Sequence, residues 1–134
     1  NTLQPWRPRM AIILIVDDCA DIRAYLRTML EAAGHILVEA GSGQEALHAW
    51  NATHPDLVIT DHSMPGMSGV ELIRALGQWQ PGVKGILMSA GQDPRLAGSP
   101  NHSSAWPFLQ KPFAFEGLRQ VIDSLLLAQP SEPD

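Results

Sequence analysis

The feature that most limits the fold of this 134-residue chain is a series of five short apolar runs, separated by segments of helical periodicity. A short, continuously apolar run is typical of a strand covered on both faces, and strands that alternate with helices form parallel sheets through right-handed crossovers. The predicted strands are Ala11–Val16, Ile36–Ala40, Leu57–Thr60, Gly85–Ser89 and Pro107–Gln110. The sequence therefore predicts a doubly wound α/β fold with one parallel five-stranded sheet between two layers of helices.

Apolar residues at intervals of three and four predict the helices between these strands. The first helix ends before Gly34 and the second covers Glu45–Asn51. The third can begin with Ser68 as its cap and Glu71 three residues later, and the closing helix covers Ala114–Ala128. The stripes predicted to face the core are Ile22, Tyr25, Leu26, Met29, Leu30 and Ala33 in the first helix, and Leu72, Ile73, Leu76 and Trp79 in the third. Three charged residues of the first helix, Arg23, Arg27 and Glu31, lie off its stripe.

Composition excludes several classes of function. With 45% hydrophobic and 17% charged residues the chain has the composition of an ordinary globular domain, and its net charge of -5 offers no basic stripe for nucleic acid. Because no apolar run approaches the ~20 residues of a membrane helix, we expect no membrane contact by this domain. The single Cys19 cannot form an internal disulfide, which is compatible with a cytoplasmic location. The proline-bearing ends predict a leader over 1–9, one domain over 10–128 and a tail over 129–134.

Polar side chains follow four of the predicted strands. Asp17 and Asp18 follow the first, Asp61 the third, Ser89 ends the fourth and Lys111 follows the fifth. If strands one and three are neighbours, as in the order 2-1-3-4-5, the three carboxylates meet at the switch point of the sheet. Their repulsion calls for a cation, and carboxylate oxygens are ligands that Mg²⁺ prefers. The pattern predicts a magnesium-assisted site in which a carboxylate can act as nucleophile toward phosphorus.

Four short motifs of the chain occur in the order known from one protein family. They are Asp17-Asp18, Asp61 followed by Met64-Pro65-Gly66, Ser89-Ala90 and Lys111-Pro112-Phe113. Over Met10–Ala128 the chain resembles the receiver (phosphoacceptor) domain of bacterial two-component response regulators and hybrid sensor histidine kinases. The resemblance implies a flavodoxin-like (βα)5 three-layer sandwich with strand order 2-1-3-4-5.

The resemblance also implies a role for each site residue. Asp61 is expected to accept a phosphoryl group from a phosphohistidine on a histidine kinase or a histidine phosphotransfer protein. Asp17 and Asp18 are expected to hold Mg²⁺ together with Asp61 and the main-chain carbonyl of Ser63, and Lys111 to bind phosphate. Ser89 and Phe108 are expected to act as the switch hydroxyl and the switch aromatic. The peptide bond between Lys111 and Pro112 is expected to be cis.

One segment departs from the family pattern. The family's fourth helix should lie within Gly91–Ala105, which holds two glycines, two prolines and three serines and offers only Leu96 and Ala97 as an apolar face. We expect a short or irregular helix there, so that the route of the output signal is open.

Other functions compete with this interpretation. A haloacid dehalogenase-type phosphatase also forms an aspartyl phosphate, but it needs an Asp at the position of Ser63. A flavin or nucleotide carrier would need a phosphate-binding loop in place of Asp17-Asp18. A receiver that only docks, without accepting phosphate, is disfavoured by the intact acidic set. The five histidines, His35, His48, His54, His62 and His102, lack metal-ligand spacing and are interpreted as surface residues.

The parent architecture is a separate expectation. The leader and the run Leu109–Phe113 look most like the receiver of a hybrid histidine kinase, with a stand-alone or effector-linked response regulator as the alternative. Such a domain catalyses only its own phosphorylation and dephosphorylation. A homodimer is compatible with the sequence.

Overall fold

The computed structural model describes residues 10–91 and 106–127, which form five strands and four helices. The strands are β1 (Ile12–Val16), β2 (Ile36–Ala40), β3 (Leu57–Asp61), β4 (Gly85–Ser89) and β5 (Phe108–Gln110). The helices are α1 (Ala20–Ala32), α2 (Gly43–Thr53), α3 (Gly69–Trp79) and α4 (Phe115–Leu127). The helix expected within Gly91–Ala105 falls on residues 92–105, which lie outside this description.

The five strands form one parallel sheet in the order β2-β1-β3-β4-β5, which confirms the predicted topology. In the central pair, Val16 of β1 lies opposite Thr60 of β3. The next residue along each strand is therefore Asp17 on one side and Asp61 on the other. The strand order thus brings the two predicted carboxylates to neighbouring positions at the carboxyl edge of the sheet.

Two apolar clusters cover the two faces of the sheet, because successive side chains of a strand point to opposite sides. Ile13, Ile15 and Ile59 belong to the cluster that includes α1 and α4. Leu14 and Val58, one residue along from these, belong to the cluster that includes α2 and α3. Burial on both faces explains why the strands appear in the sequence as continuous apolar runs rather than as alternating ones.

Serine side chains cap the first turns of α2 and α3. The Ser68 hydroxyl accepts a hydrogen bond from the Glu71 N–H, and the Glu71 carboxylate accepts one from the Ser68 N–H. These two bonds confirm the capping box. Ser42 caps α2 by accepting from the N–H of Glu45, so this helix begins two residues earlier than predicted. Gly34 follows α1 with a φ of 98°, a conformation that glycine adopts without strain.

Three side chains differ from the predicted pattern. Tyr25 of α1 and Trp79 of α3 are 47% and 57% exposed rather than facing the core. Tyr25 lies beside the line through Leu26 and Leu30 that points to the sheet, and Trp79 is the last residue of its helix. His35, predicted at the surface, is only 7% exposed, and its Nδ1 accepts a hydrogen bond from the N–H of Ala11, so that the residues directly before β2 and β1 contact each other.

Candidate functional site

The carboxylates lie at the carboxyl edge of the two central strands. Asp61 is the last residue of β3 and is 6% exposed. Asp17 directly follows β1 and is buried, and its N–H donates to the carbonyl of Ala40 in β2. Asp18 is exposed. One carboxylate oxygen from each of the three residues lies within 4.8 Å of the others, so the group can hold a single metal ion.

The start of α3 fixes the main chain of Asp61 from the other side. The N–H of Gly69 donates to the carbonyl of His62, and the N–H of His62 donates to Met88 in β4. A Cβ atom at Gly69 would lie 2.5 Å from the Asp61 carbonyl oxygen, closer than real Cβ contacts allow. The helix can therefore pack this tightly against the strand end only because the residue is glycine.

Lys111 supplies the positive charge of the site. Its Nζ lies 3.0 Å from Oδ2 of Asp17 and 3.0 Å from Oδ1 of Asp61. Its own N–H donates to the carbonyl of Ser89 at 2.7 Å, which fixes the lysine main chain to the end of β4. The peptide bond between Lys111 and Pro112 is cis, as the resemblance implies.

Burial and charge set the protonation of these groups. Burial raises the pKa of Asp61, and the negative charges of Asp17 and Asp18 act in the same direction, whereas the hydrogen bond and charge of Lys111 oppose the rise. For Lys111, burial lowers the pKa, but the hydrogen bonds and charges of Asp17 and Asp61 outweigh it and raise the pKa overall. The lysine is therefore held as an ammonium group, whereas burial and the two neighbouring carboxylates disfavour the charged form of Asp61.

The remaining predicted residues lie at or near the same edge. Ser89, the last residue of β4, is buried, and its hydroxyl accepts a hydrogen bond from the N–H of Gly91 at 3.1 Å. Phe108 begins β5 opposite Leu87 and packs, half-buried, against the α2 and α3 cluster. Ser63 is exposed in the connection between β3 and α3.

The positions of two side chains near this edge, Arg23 and His62, were not predicted from the sequence. Nη1 of Arg23 donates to the main-chain carbonyl of Asp17 at 2.6 Å, and its Nε donates to Glu39 at 3.0 Å. Nδ1 of His62 is a buried side-chain atom without a hydrogen-bond partner within the described ranges. Charged residues that lie off the apolar stripe of a helix are usually exposed to solvent. The sequence pattern of α1 therefore did not predict the contacts of Arg23.

Comparison with known proteins identifies the family. The family model described as the response regulator receiver domain matches residues 13–123. The chain belongs to the response regulator receiver domain family. The strand order and the acidic edge described above are thus those of a receiver domain of two-component systems.

Curated relatives of this receiver domain include a transcriptional regulator and a two-component response regulator. It is 35% identical over 112 residues to the DNA-binding transcriptional regulator NtrC of Klebsiella pneumoniae, a match that covers 84% of this chain and 24% of NtrC. It is 33% identical over 129 residues to the two-component response regulator PhoP of Pseudomonas aeruginosa, covering 85% of this chain and 51% of PhoP. The chain therefore spans between a quarter and about half of these relatives.

Solved receiver structures share the fold. The response regulator TrrA of Thermotoga maritima, solved in complex with Mg²⁺-BeF, is 34% identical with a TM-score of 0.77, and the match covers 87% of this chain and 99% of that one. TrrA in complex with the histidine kinase ThkA gives 33% identity, a TM-score of 0.77 and the same coverage. The receiver domain of the hybrid histidine kinase CckA gives 27% identity and a TM-score of 0.71, covering 86% of this chain and 98% of that one.

The described helices lack the features of a membrane span. Over residues 10–91 and 106–127, no helix combines the length and the apolar character needed to cross a bilayer.

Proposed function

We propose that this receiver domain accepts a phosphoryl group from the phosphohistidine of a partner onto Asp61, with Mg²⁺ bound beside it. The observation that carries the proposal is the placement of Lys111, whose ammonium group lies 3.0 Å from both Asp17 and Asp61 at the edge where Asp18 completes the acidic set. A nucleophilic carboxylate beside an ammonium group, with two further carboxylates near enough to share a metal ion, suits phosphoryl transfer, in which positioning and charge neutralisation supply most of the catalysis.

The acidic set fits a magnesium ion. Mg²⁺ takes oxygen ligands at about 2.1 Å, so ligands on opposite sides of the ion are about 4.2 Å apart. Carboxylate oxygens within 4.8 Å of one another are compatible with that span. The proposed ligands are Asp17, Asp18, Asp61 and the main-chain carbonyl of Ser63. When bound, Mg²⁺ would neutralise charge on the phosphoryl oxygens and relieve the repulsion among the carboxylates.

The chemical step follows from the nucleophile. An oxygen of the Asp61 carboxylate attacks phosphorus, the phosphorus–nitrogen bond to the partner's imidazole breaks, and the imidazole nitrogen keeps the electron pair and takes a proton from solvent. The product is an aspartyl phosphate. Lys111 can then donate to a phosphoryl oxygen instead of to the bare carboxylate, because its ammonium group already reaches Asp61.

The proposed switch uses one residue of β4, the strand beside Asp61, and one residue of β5, the next strand in the sheet. The Ser89 hydroxyl, which now accepts from Gly91, would turn to donate to a phosphoryl oxygen. Phe108, two residues before the partner of Ser89 on β5, would move inward as that hydroxyl leaves its place. Both movements would change the surface around β4 and β5 that other molecules meet.

Labelling with a small phosphodonor tests the proposal. The 134-residue chain is incubated with phosphoramidate and Mg²⁺, and intact mass and peptide mapping locate the phosphoryl group. We expect one phosphoryl group on Asp61 and none in Asp61→Asn. The matched control is Asp56→Asn, because Asp56 precedes the same strand at its opposite end and its carboxylate accepts from Ile12, a role that Asn can keep. Labelling that persists in Asp61→Asn would refute the proposed site.

A turnover assay distinguishes the proposed phosphoryl acceptor from the alternative function, a phosphatase. A haloacid dehalogenase-type phosphatase would release phosphate continuously from small phosphate esters. The residue two places after Asp61 is Ser63, which has no carboxyl group to serve as general acid. We therefore expect no sustained phosphate release from p-nitrophenyl phosphate.

Partner and parent chain extend the proposal. We propose a histidine kinase or histidine phosphotransfer protein as the donor, acting in the cytoplasm, with residues 10–128 as the domain between a leader and a tail. The complex of TrrA with a histidine kinase supports the kind of partner. Likeness to the CckA receiver supports a hybrid histidine kinase as the parent, whereas the NtrC and PhoP matches support an effector-linked regulator. The coding sequence on either side of these 134 residues would distinguish the two.

A further inference from the structure

The acidic segment after β1 is held from outside the site by a guanidinium group. Nη1 of Arg23, one turn into α1, donates to the main-chain carbonyl of Asp17 at 2.6 Å. β2 ends at Ala40, where the chain turns toward α2, so this carbonyl lies past the end of the ladder between the two strands. The N–H of Asp17 is thus held by Ala40 of β2, and its carbonyl is held by a side chain of α1.

The same guanidinium is fixed at its other edge. Nε of Arg23 donates to Oε1 of Glu39 in β2 at 3.0 Å, and the second oxygen of Glu39 accepts from Nε of Arg27 at 2.6 Å. Glu39 is therefore held by two arginines, and only one of them touches the acidic segment. A Cβ atom at Gly41 would lie 3.3 Å from Nη1 of Arg23, so the turn after β2 also closes around this group.

Arginine is suited to this arrangement in a way that lysine is not. Its planar fork presents donors in fixed relative directions, so that one bond orients the other, whereas a lysine ammonium is a single mobile point charge. The bond to Glu39 consequently sets the direction in which Nη1 meets the Asp17 carbonyl. The main chain fixed in this way carries Asp17 and Asp18, two of the three carboxylates at the edge of the sheet.

We infer that Arg23 is a positioning residue for the cation site: held by Glu39, it fixes the main chain of Asp17 so that the Asp17 and Asp18 carboxylates are preorganised to bind a divalent cation with Asp61. The inference rests on the proposed function. Arg23, which is not itself a proposed ligand, would thus contribute to the affinity of the acidic set for Mg²⁺.

Calorimetric titration of the full chain with Mg²⁺ tests the inference. Loss of a hydrogen-bonded partner behind metal ligands typically weakens metal binding by about 10–100-fold, and for Arg23→Gln we expect the Mg²⁺ Kd to rise about tenfold. The matched control is Arg27→Gln, because Arg27 also bonds Glu39 but not the Asp17 carbonyl, and its Kd should stay within about twofold of the wild-type value. Equal effects of the two substitutions, or no effect of either, would refute the inference.

Further variants distinguish the positioning role of Arg23 from an effect of its charge and from loss of folding. Arg23→Lys keeps the charge and should bind Mg²⁺ nearly as weakly as Arg23→Gln, so full recovery of affinity in this variant would overturn the positioning role. Circular dichroism and Tm are recorded for each variant. If Arg23→Gln does not fold, Glu39→Gln loosens the guanidinium without removing it, and an unchanged Mg²⁺ Kd there would refute the inference. If the wild-type chain itself binds no Mg²⁺, the proposed function fails instead.

Discussion

Nζ of Lys111 and Oδ1 of Asp61 lie 3.0 Å apart at the edge of the sheet, and the same ammonium group is also 3.0 Å from Asp17. The single ammonium group of Lys111 is therefore shared between two buried carboxylates. The balance explains why the pKa of Asp61 is raised: burial disfavours its charge more strongly than a shared lysine can restore it. Several properties of the protein without metal follow from this relationship.

Removing the ammonium group should destabilise the protein. In Lys111→Met, Asp17 and Asp61 face each other without the cation between them. We expect a loss of about 1–3 kcal/mol in the free energy of unfolding, less than for a fully buried pair because Lys111 is 21% exposed. Urea denaturation at neutral pH without divalent ions measures it. Lys111→Arg, which keeps the charge, should lose less, and equal losses in both variants would show that the ion pair is not the cause.

Neutralising Asp61 should have the opposite effect at neutral pH. Because the folded-state pKa of Asp61 is raised, its charged form opposes folding, and the stability present below the unfolded value of 3.8 is lost as pH rises through the folded value. Without divalent ions, Asp61→Asn should therefore be more stable than the wild type above that range, on the order of 1 kcal/mol, and the difference should vanish in acid. Unfolding free energies at a series of pH values test this. A difference independent of pH would contradict the explanation.

His35 should make the domain less stable in mild acid. Burial lowers its pKa below 6.5, and Asp123 of α4 only partly offsets the shift. As pH falls, the unfolded chain therefore binds the proton at a higher pH than the folded chain does. The contribution of His35 to the free energy of unfolding, on the order of 1 kcal/mol, is present above pH 6.5 and is lost as pH falls through the folded-state pKa. In His35→Gln this part of the pH dependence should disappear, whereas His48→Gln, at an exposed site, should keep it. Denaturation midpoints between pH 5 and 7.5 give the comparison.

Gly69 and Gly77 should respond oppositely to alanine. At Gly69 a Cβ atom meets the Asp61 carbonyl oxygen at 2.5 Å, so α3 must shift, and we expect a loss of about 1–3 kcal/mol together with slower labelling of Asp61. At Gly77, in the same helix, the nearest atom is 3.7 Å away, and alanine should be neutral or stabilise by up to about 1 kcal/mol through helix propensity. Thermal unfolding and phosphoramidate labelling compare the two. A stable, rapidly labelled Gly69→Ala would show that the close contact does not constrain the site.

Sequence patterns predicted the sheet and its acidic edge because both depend on local, periodic signals. The continuous apolar runs gave the strands to within a residue or two, and once β1 and β3 are neighbours, Asp17 and Asp61 follow at adjacent positions. The Ser68 cap was predicted for the same reason, since its two hydrogen bonds join residues only three apart.

Contacts that depend on tertiary packing were not predictable in this way. Helical periodicity does not tell how far a stripe extends around a helix, so Tyr25 and Trp79 were wrongly placed in the core. His35 was wrongly placed at the surface, because its burial results from packing against a segment 24 residues away in the sequence, where Ala11 donates to its Nδ1. Arg23 is similar: it can bond the Asp17 carbonyl and Glu39 of β2 together only when α1 packs beside β2.

The register between β1 and β3 ties chemical competence to correct assembly. A slip of β3 by a single residue would turn Asp61 to the opposite face of the sheet, away from Asp17 and Lys111, even if most of the apolar burial survived. Misaligned or partly assembled chains would thus lack the complete acidic set, so that the site exists only where the two central strands are paired correctly.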